Sequence, residues 1–213
     1  MALRLKVCGM REAENIRQVA GLGPDYMGFI FYPKSPRFVG DAFQFPPTVP
    51  ASMKRVGVFV NALTDVMLAA VKQTGLHALQ LHGKESAEQC MDLRAEGVEV
   101  IKVFSVDEHF DFASTKPYRD AVDYFLFDTK GRYLGGNGVI FDWSLLQRYD
   151  QEVPFFLSGG LDSRVLRAID QLRDMNLFGL DVNSGVEIAP GLKDVNKVRE
   201  IKRILNEHVK SFE

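Results

Sequence analysis

Cysteine is scarce in this chain: Cys8 and Cys90 are the only two among 213 residues, and they are far apart. With no close pair of thiols and no histidine at ligand spacing from either, neither a disulfide framework nor a zinc site is expected. Charge of one sign is lacking as well. A formal net charge of −2 gives no concentrated positive field, so no nucleic acid and no anionic membrane is expected as a partner. No apolar run approaches the length that spans a bilayer. The first residues, Met1-Ala2-Leu3-Arg4-Leu5-Lys6, meet charge too early for a signal peptide. A reducing cytoplasm is the expected compartment.

What the chain has is a repeated unit. Apolar residues make up 46% and charged residues 25%, enough for a globular domain with a real core. Apolar, β-branched and aromatic runs fall at Leu3–Cys8, Tyr26–Phe31, Arg55–Val60, Ala78–His82, Glu99–Phe104, Tyr124–Asp128, Pro154–Ser158 and Leu177–Val182. They recur roughly every 20–30 residues, the spacing of a strand plus a crossover helix. Most are too continuously apolar for a sheet with one wet face, and so suit parallel strands covered on both sides. Between them, Leu63–Gln73, Ser86–Ala95, Ser163–Leu172 and Val195–Val209 place apolar residues at helical spacing. Pro46, Pro47 and Pro50 argue against a full helix across residues 40–53, and Pro117 weakens the fifth interval. The expected architecture is a single (β/α)8 TIM barrel over residues 1–213, ahead of an open doubly wound sheet.

On such a barrel the carboxyl ends of the strands line the site. Here those ends are polar, glycine-rich or titratable, while the strands themselves are apolar. Ser158-Gly159-Gly160 follows the seventh run and Asn183-Ser184-Gly185 the eighth. Loops at those two positions suit a phosphate, since glycine lets backbone N–H groups approach its oxygens; two ordinary tight turns are the plainer reading.

Cys8 is either a small buried hydrophobe or, with Lys6 on the same face, a base or nucleophile favoured as thiolate. Asp128 is a helix cap, a partner for an interior lysine such as Lys102, or a general acid kept protonated by apolar walls. Lys6, Gln80, Lys102 and Asp181 fall within strands and are expected to form an interior polar network, with Lys6 and Asp181 adjacent once the barrel closes. Arg37, held between Pro33 and Pro36, is a candidate grip for a carboxylate, though most loop arginines are merely solvated. Lys130-Gly131-Arg132-Tyr133-Leu134-Gly135-Gly136-Asn137-Gly138 lacks the ending of a Walker motif and reads as a lid or a plain surface loop.

Taken in order, Lys6-Val7-Cys8-Gly9-Met10, Gly28-Phe29-Ile30-Phe31 with Ser35-Pro36-Arg37, and Val56-Gly57-Val58-Phe59-Val60 resemble the phosphoribosylanthranilate isomerase family of tryptophan biosynthesis. So do Leu79-Gln80-Leu81-His82-Gly83, Phe127-Asp128-Thr129, Phe141-Asp142-Trp143, Leu157-Ser158-Gly159-Gly160-Leu161 and Asp181-Val182-Asn183-Ser184-Gly185-Val186-Glu187. The resemblance runs on to Pro190-Gly191-Leu192-Lys193-Asp194.

It implies an Amadori rearrangement with Cys8 as general base and Asp128 as general acid. It also implies that Arg37 holds the anthranilate carboxylate and that the loops around Gly159, Gly160, Asn183, Ser184 and Gly185 hold the phosphate. The implied ligand is a small phosphorylated aminosugar, the implied assembly a monomer or homodimer, and none of the proton transfers requires a cofactor or metal. Asn137 stands where the family's lid usually has threonine. The isomerase of the histidine pathway resembles a half-barrel repeat with two aspartates, which fits poorly with Cys8 and with a chain that shows no internal duplication. A metal-dependent phosphosugar epimerase would place several histidines at strand ends, where only His82 lies; a silent scaffold would not keep Cys8 and Asp128 beside both phosphate loops.

Overall fold

Strands that are apolar on both faces need cover outside, packing inside and a partner along each edge. Closing the sheet on itself satisfies the edges. In the computed structural model of the chain, which describes residues 3–46, 49–50, 52–129 and 143–210, the eight runs do close. Strands β1 (Arg4–Val7), β2 (Tyr26–Ile30), β3 (Lys54–Phe59), β4 (Ala78–Leu81), β5 (Glu99–Val106), β6 (Tyr124–Thr129), β7 (Phe155–Ser158) and β8 (Leu177–Val182) pair in that order. All neighbours are parallel, and β8 returns to β1 with Lys6 opposite Asp181. The expected barrel and the expected adjacency of that pair are both found.

The outer cover is less regular than its apolar stripes suggest. Among the described residues four α-helices form: α1 (Ala13–Ala20), α2 (Thr64–Thr74), α3 (Ala87–Ala95) and α4 (Val195–Lys210). Ser86 caps α3 by accepting from the Gln89 amide at 3.1 Å, and Gly75 ends α2 in the left-handed conformation that favours glycine. The expected α-helix at Ser163–Leu172 is instead a 3₁₀ helix, Val165–Leu172. Further 3₁₀ segments cover Phe112–Tyr118, Trp143–Arg148 and Ser184–Val186. Spacing accounts for the difference. Leu166, Ile169 and Leu172 are buried at three-residue intervals, as are Trp143, Leu146 and Tyr149, and a 3₁₀ turn brings such residues directly into line. The described residues between Gly40 and Met53 form no helix, and Phe43 and Phe45 pack their rings against Phe29.

Inside the barrel, the two ends differ. The lower interior is filled by Tyr26, Val56, Ala78, Ile101, Val103, Leu126 and Phe156. The rings of Tyr26 and Phe178 meet Phe156 edge-on, with centroids 5.3 Å and 5.1 Å away. Burying a side chain of this kind contributes about 1.5–3 kcal/mol. A register shift between β7 and β8 opposes Phe155 to Leu177 but Phe156 to Gly179, which leaves Phe178 as the extra residue that joins this plug. Above it the inward positions turn polar, and the site begins there.

Candidate active site

The polar end opens as a cavity of about 200 Å³. Cys8 reaches it from the end of β1 and Asp128 from β6, while Gly159 and Gly160 follow β7 and Asn183, Ser184 and Gly185 follow β8. Barrel closure thus brings seven separate stretches of chain to one mouth, including every residue proposed for acid, base and phosphate. Arg37 stands beside the mouth and is not part of the cavity wall.

Two glycines make this arrangement possible through close approach. At Gly28 on β2, an added Cβ would lie 2.7 Å from Cys8 Sγ, so the thiol occupies space that any other residue would fill. At Gly185 a Cβ would lie 2.3 Å from the carbonyl oxygen of Leu161, so the loop after β8 rests directly on the loop after β7. The two loops form one surface.

The electrostatics of Cys8 reverse one expectation. Burial pushes its thiol up, and the pull of Lys6 and Lys193 toward thiolate does not overcome that. Lys6 is itself engaged: its Nζ donates to Asp181 Oδ1 at 2.9 Å, with both groups buried. Burial lowers the Lys6 ammonium's proton affinity, but Asp181 and Cys8 together hold it above its ordinary value, so the proton stays on the lysine. Lys102 does not pair with Asp128. Its ammonium lies 3.0 Å from Glu85 Oε2 and also donates to the carbonyls of Gly83 and Leu81.

Several cavity residues were not singled out from the sequence as site residues. His82 Nε2 lies 3.8 Å from Asp128 Oδ2, and burial lowers its proton affinity, so neutral imidazole faces the carboxyl group. Gln80 lines the floor, and its Oε1 is buried without a hydrogen-bond partner among the described residues. Asp181 lines the wall as well. Gln80 and Asp181 within strands and His82 at a strand end, all three inside the family-like motifs, were the signals that marked them.

Arg37 reaches Glu187 with Nε at 2.8 Å and Nη2 at 2.6 Å, a bidentate pair spanning 150 positions of sequence. The glycine-rich segment at 130–138, with Asn137, lies outside the described residues.

Known proteins share the sequence and the fold of this chain. The model of the N-(5'-phosphoribosyl)anthranilate (PRA) isomerase family matches residues 5–203. The N-(5'-phosphoribosyl)anthranilate isomerase of Parabacteroides distasonis is 46% identical over 211 residues, covering 97% of this chain and 96% of that one. The crystal structure of phosphoribosyl anthranilate isomerase from Thermotoga maritima is similar at a TM-score of 0.82 and 36% identity, covering 96% of this chain and 99% of that one. Another, solved in complex with reduced 1-(o-carboxyphenylamino)-1-deoxyribulose 5-phosphate, is similar at 0.79 and 33% with the same coverage. The chain belongs to the N-(5'-phosphoribosyl)anthranilate isomerase family.

Proposed function

We propose that the chain converts N-(5'-phosphoribosyl)anthranilate to 1-(2-carboxyphenylamino)-1-deoxyribulose 5-phosphate, with Cys8 as general base and Asp128 as general acid. The observation that carries this reading is their presence in one cavity whose wall includes the loops after both β7 and β8. The substrate is a furanose with the anthranilate nitrogen on its anomeric carbon. Asp128 in its acid form gives a proton to the ring oxygen, and the ring opens to an imine. The imine acidifies the hydrogen on the adjacent sugar carbon, and the Cys8 thiolate removes it. The enolamine formed then relaxes to the aminoketose.

Because burial holds the ligand-free thiol above its ordinary value, the base works through a minor thiolate population that Lys6 and Lys193 enlarge. Gly159, Gly160, Asn183, Ser184 and Gly185 cradle the phosphate, and Arg37 grips the anthranilate carboxylate. The product-analogue complex of a related enzyme supports a phosphorylated aminosugar ligand. No step calls on a cofactor. Residues 1–213 act as one barrel domain in the cytoplasm, as a monomer or homodimer, without a nucleic-acid or membrane partner.

Freshly prepared phosphoribosylanthranilate tests the reaction. The full chain should consume its anthranilate fluorescence and yield the aminoketose. A folded protein that leaves that fluorescence unchanged would sink the proposal.

A further inference from the structure

Arg37 is not a free loop arginine. Glu187 takes Nε and Nη2, one side of the guanidinium fork, and among the described residues no hydrogen bond involves Nη1. The same carboxylate accepts from the Gly191 amide at 3.0 Å and from Lys193 Nζ at 2.7 Å. Lys193 is almost wholly buried, and its ammonium also donates to the side-chain and backbone oxygens of Asn183 at 2.7 Å and 3.3 Å. The backbone of Lys193 is anchored in turn, exchanging hydrogen bonds with the Asn15 amide on α1.

Glycine at position 9 lets this assembly close up. A Cβ there would lie 2.7 Å from Arg37 Cδ and 2.7 Å from Asn183 Oδ1. Burial raises the Glu187 carboxyl, but hydrogen bonds from Arg37, Lys193 and Gly191 outweigh it and hold the group at about 2. It is ionised whenever the enzyme is folded at ordinary pH. Two cations thus share one carboxylate, and the Nη1 edge of Arg37 makes no hydrogen bond among the described residues.

We infer that Glu187 is a positioning residue: it fixes the Arg37 guanidinium so that one edge is presented to the aromatic carboxylate, and through Lys193 it ties that grip to the phosphate loop at Asn183. This rests on the reading of Arg37 as the carboxylate grip. A guanidinium without the brace would sample other rotamers, and ordering it would then be charged to each binding event.

The full chain is compared as wild type, Glu187→Gln, Arg37→Ala and the double variant. Substrate kinetics are measured together with binding of the reduced product analogue and of its counterpart lacking the carboxylate. Glu187→Gln should raise KM by roughly tenfold, the scale of a lost charge-assisted hydrogen bond, while changing kcat much less. Binding of the counterpart without the carboxylate should hold, and Glu187→Gln should add nothing to Arg37→Ala. Glu187→Asp keeps the charge but withdraws it, and should show the same selective loss in smaller measure even if the glutamine variant fails to fold. Equal weakening of both ligands, or additive losses in the double variant, overturns the inference. An Arg37→Ala enzyme that still prefers the carboxylated ligand instead overturns the reading of Arg37.

Discussion

The chain holds two cysteines, and each lies by a buried lysine–carboxylate pair. Lys6 and Asp181 meet at 2.9 Å beside Cys8; Lys102 and Glu85 meet at 3.0 Å within the electrostatic reach of Cys90. The chemistry of the two trios is the same, yet their bonding differs. Lys102 spends its three donors on Glu85 and two backbone carbonyls, while Glu85 accepts from the amides of Asn61 and Gly83. That trio is complete in itself and ties the ends of β3, β4 and β5 together. Asp181 accepts one hydrogen bond, from Lys6, among the described residues, and it lines the cavity. A buried charge saturated by backbone is structural, whereas one that keeps capacity toward a cavity is available to a ligand.

The largest effect expected from this difference is catalytic. Cys8→Ala and Asp128→Asn should each lower kcat roughly 10²–10⁴-fold, the contribution of a positioned proton-transfer group. Both variants should stay folded and bind the reduced product analogue. Cys90→Ala should turn over like the wild type, since the thiol is wholly buried in the core on α3. A slow Cys90→Ala enzyme, or a fast Cys8→Ala one, breaks the comparison.

Next in size is stability. Lys102→Met strands Glu85 as an uncompensated buried charge and should cost about 3–5 kcal/mol in urea unfolding. The fraction that remains folded should keep its kcat. Lys6→Met strands Asp181, but the cavity gives that carboxylate some access to water, so the stability loss should be smaller. It should also lose turnover, because the cation that favours the Cys8 thiolate is gone. Equal kcat losses in the two variants would show that the Lys102 trio is not merely structural.

Much of this was legible in the sequence, and the parts that were not have identifiable causes. Continuous apolar runs located all eight strands, and strand order then fixed which loops share the mouth. Helix type was hidden because stripes such as Leu166, Ile169 and Leu172 fit a 3₁₀ turn as well as a short α-helix. Helix α1 went unnamed because its buried face, Ile16, Val19 and Ala20, includes the polar Asn15, whose reason for being inside is the backbone of Lys193 at 178 positions' distance. Glu187 was visible as part of a motif but not as a partner, since only closure of the barrel brings it to Arg37. The sign of the shift at Cys8 was also out of reach. Sequence places Lys6 on its face, but the opposing cost of burial depends on how tightly Gly28 and its neighbours enclose the sulfur.

The smallest effect concerns how the two thiols react as pH rises, and it sharpens the comparison most directly. Iodoacetamide attacks thiolate, so its rate follows the ionised fraction and the access to each sulfur. Burial raises both groups: Cys90 to about 11, with Lys102 pulling down and Glu85 pushing up, and Cys8 upward against the pull of Lys6. A thiol raised in the folded state keeps its proton longer, so alkylation of native Cys8 should still be climbing above the ordinary thiol range. Bound product analogue should slow it, because the sulfur faces the cavity. Lys6→Met should move the profile further upward and lower the neutral-pH rate, while Lys102→Met should leave it in place. Cys90 is fully buried and does not line that cavity, and its modification should wait for unfolding. Peptide mapping after timed alkylation separates the two sites. If native Cys90 is labelled as fast as Cys8, or if the Cys8 profile levels off below the ordinary thiol range, then burial does not control these thiols and the two trios are not divided by access to the cavity.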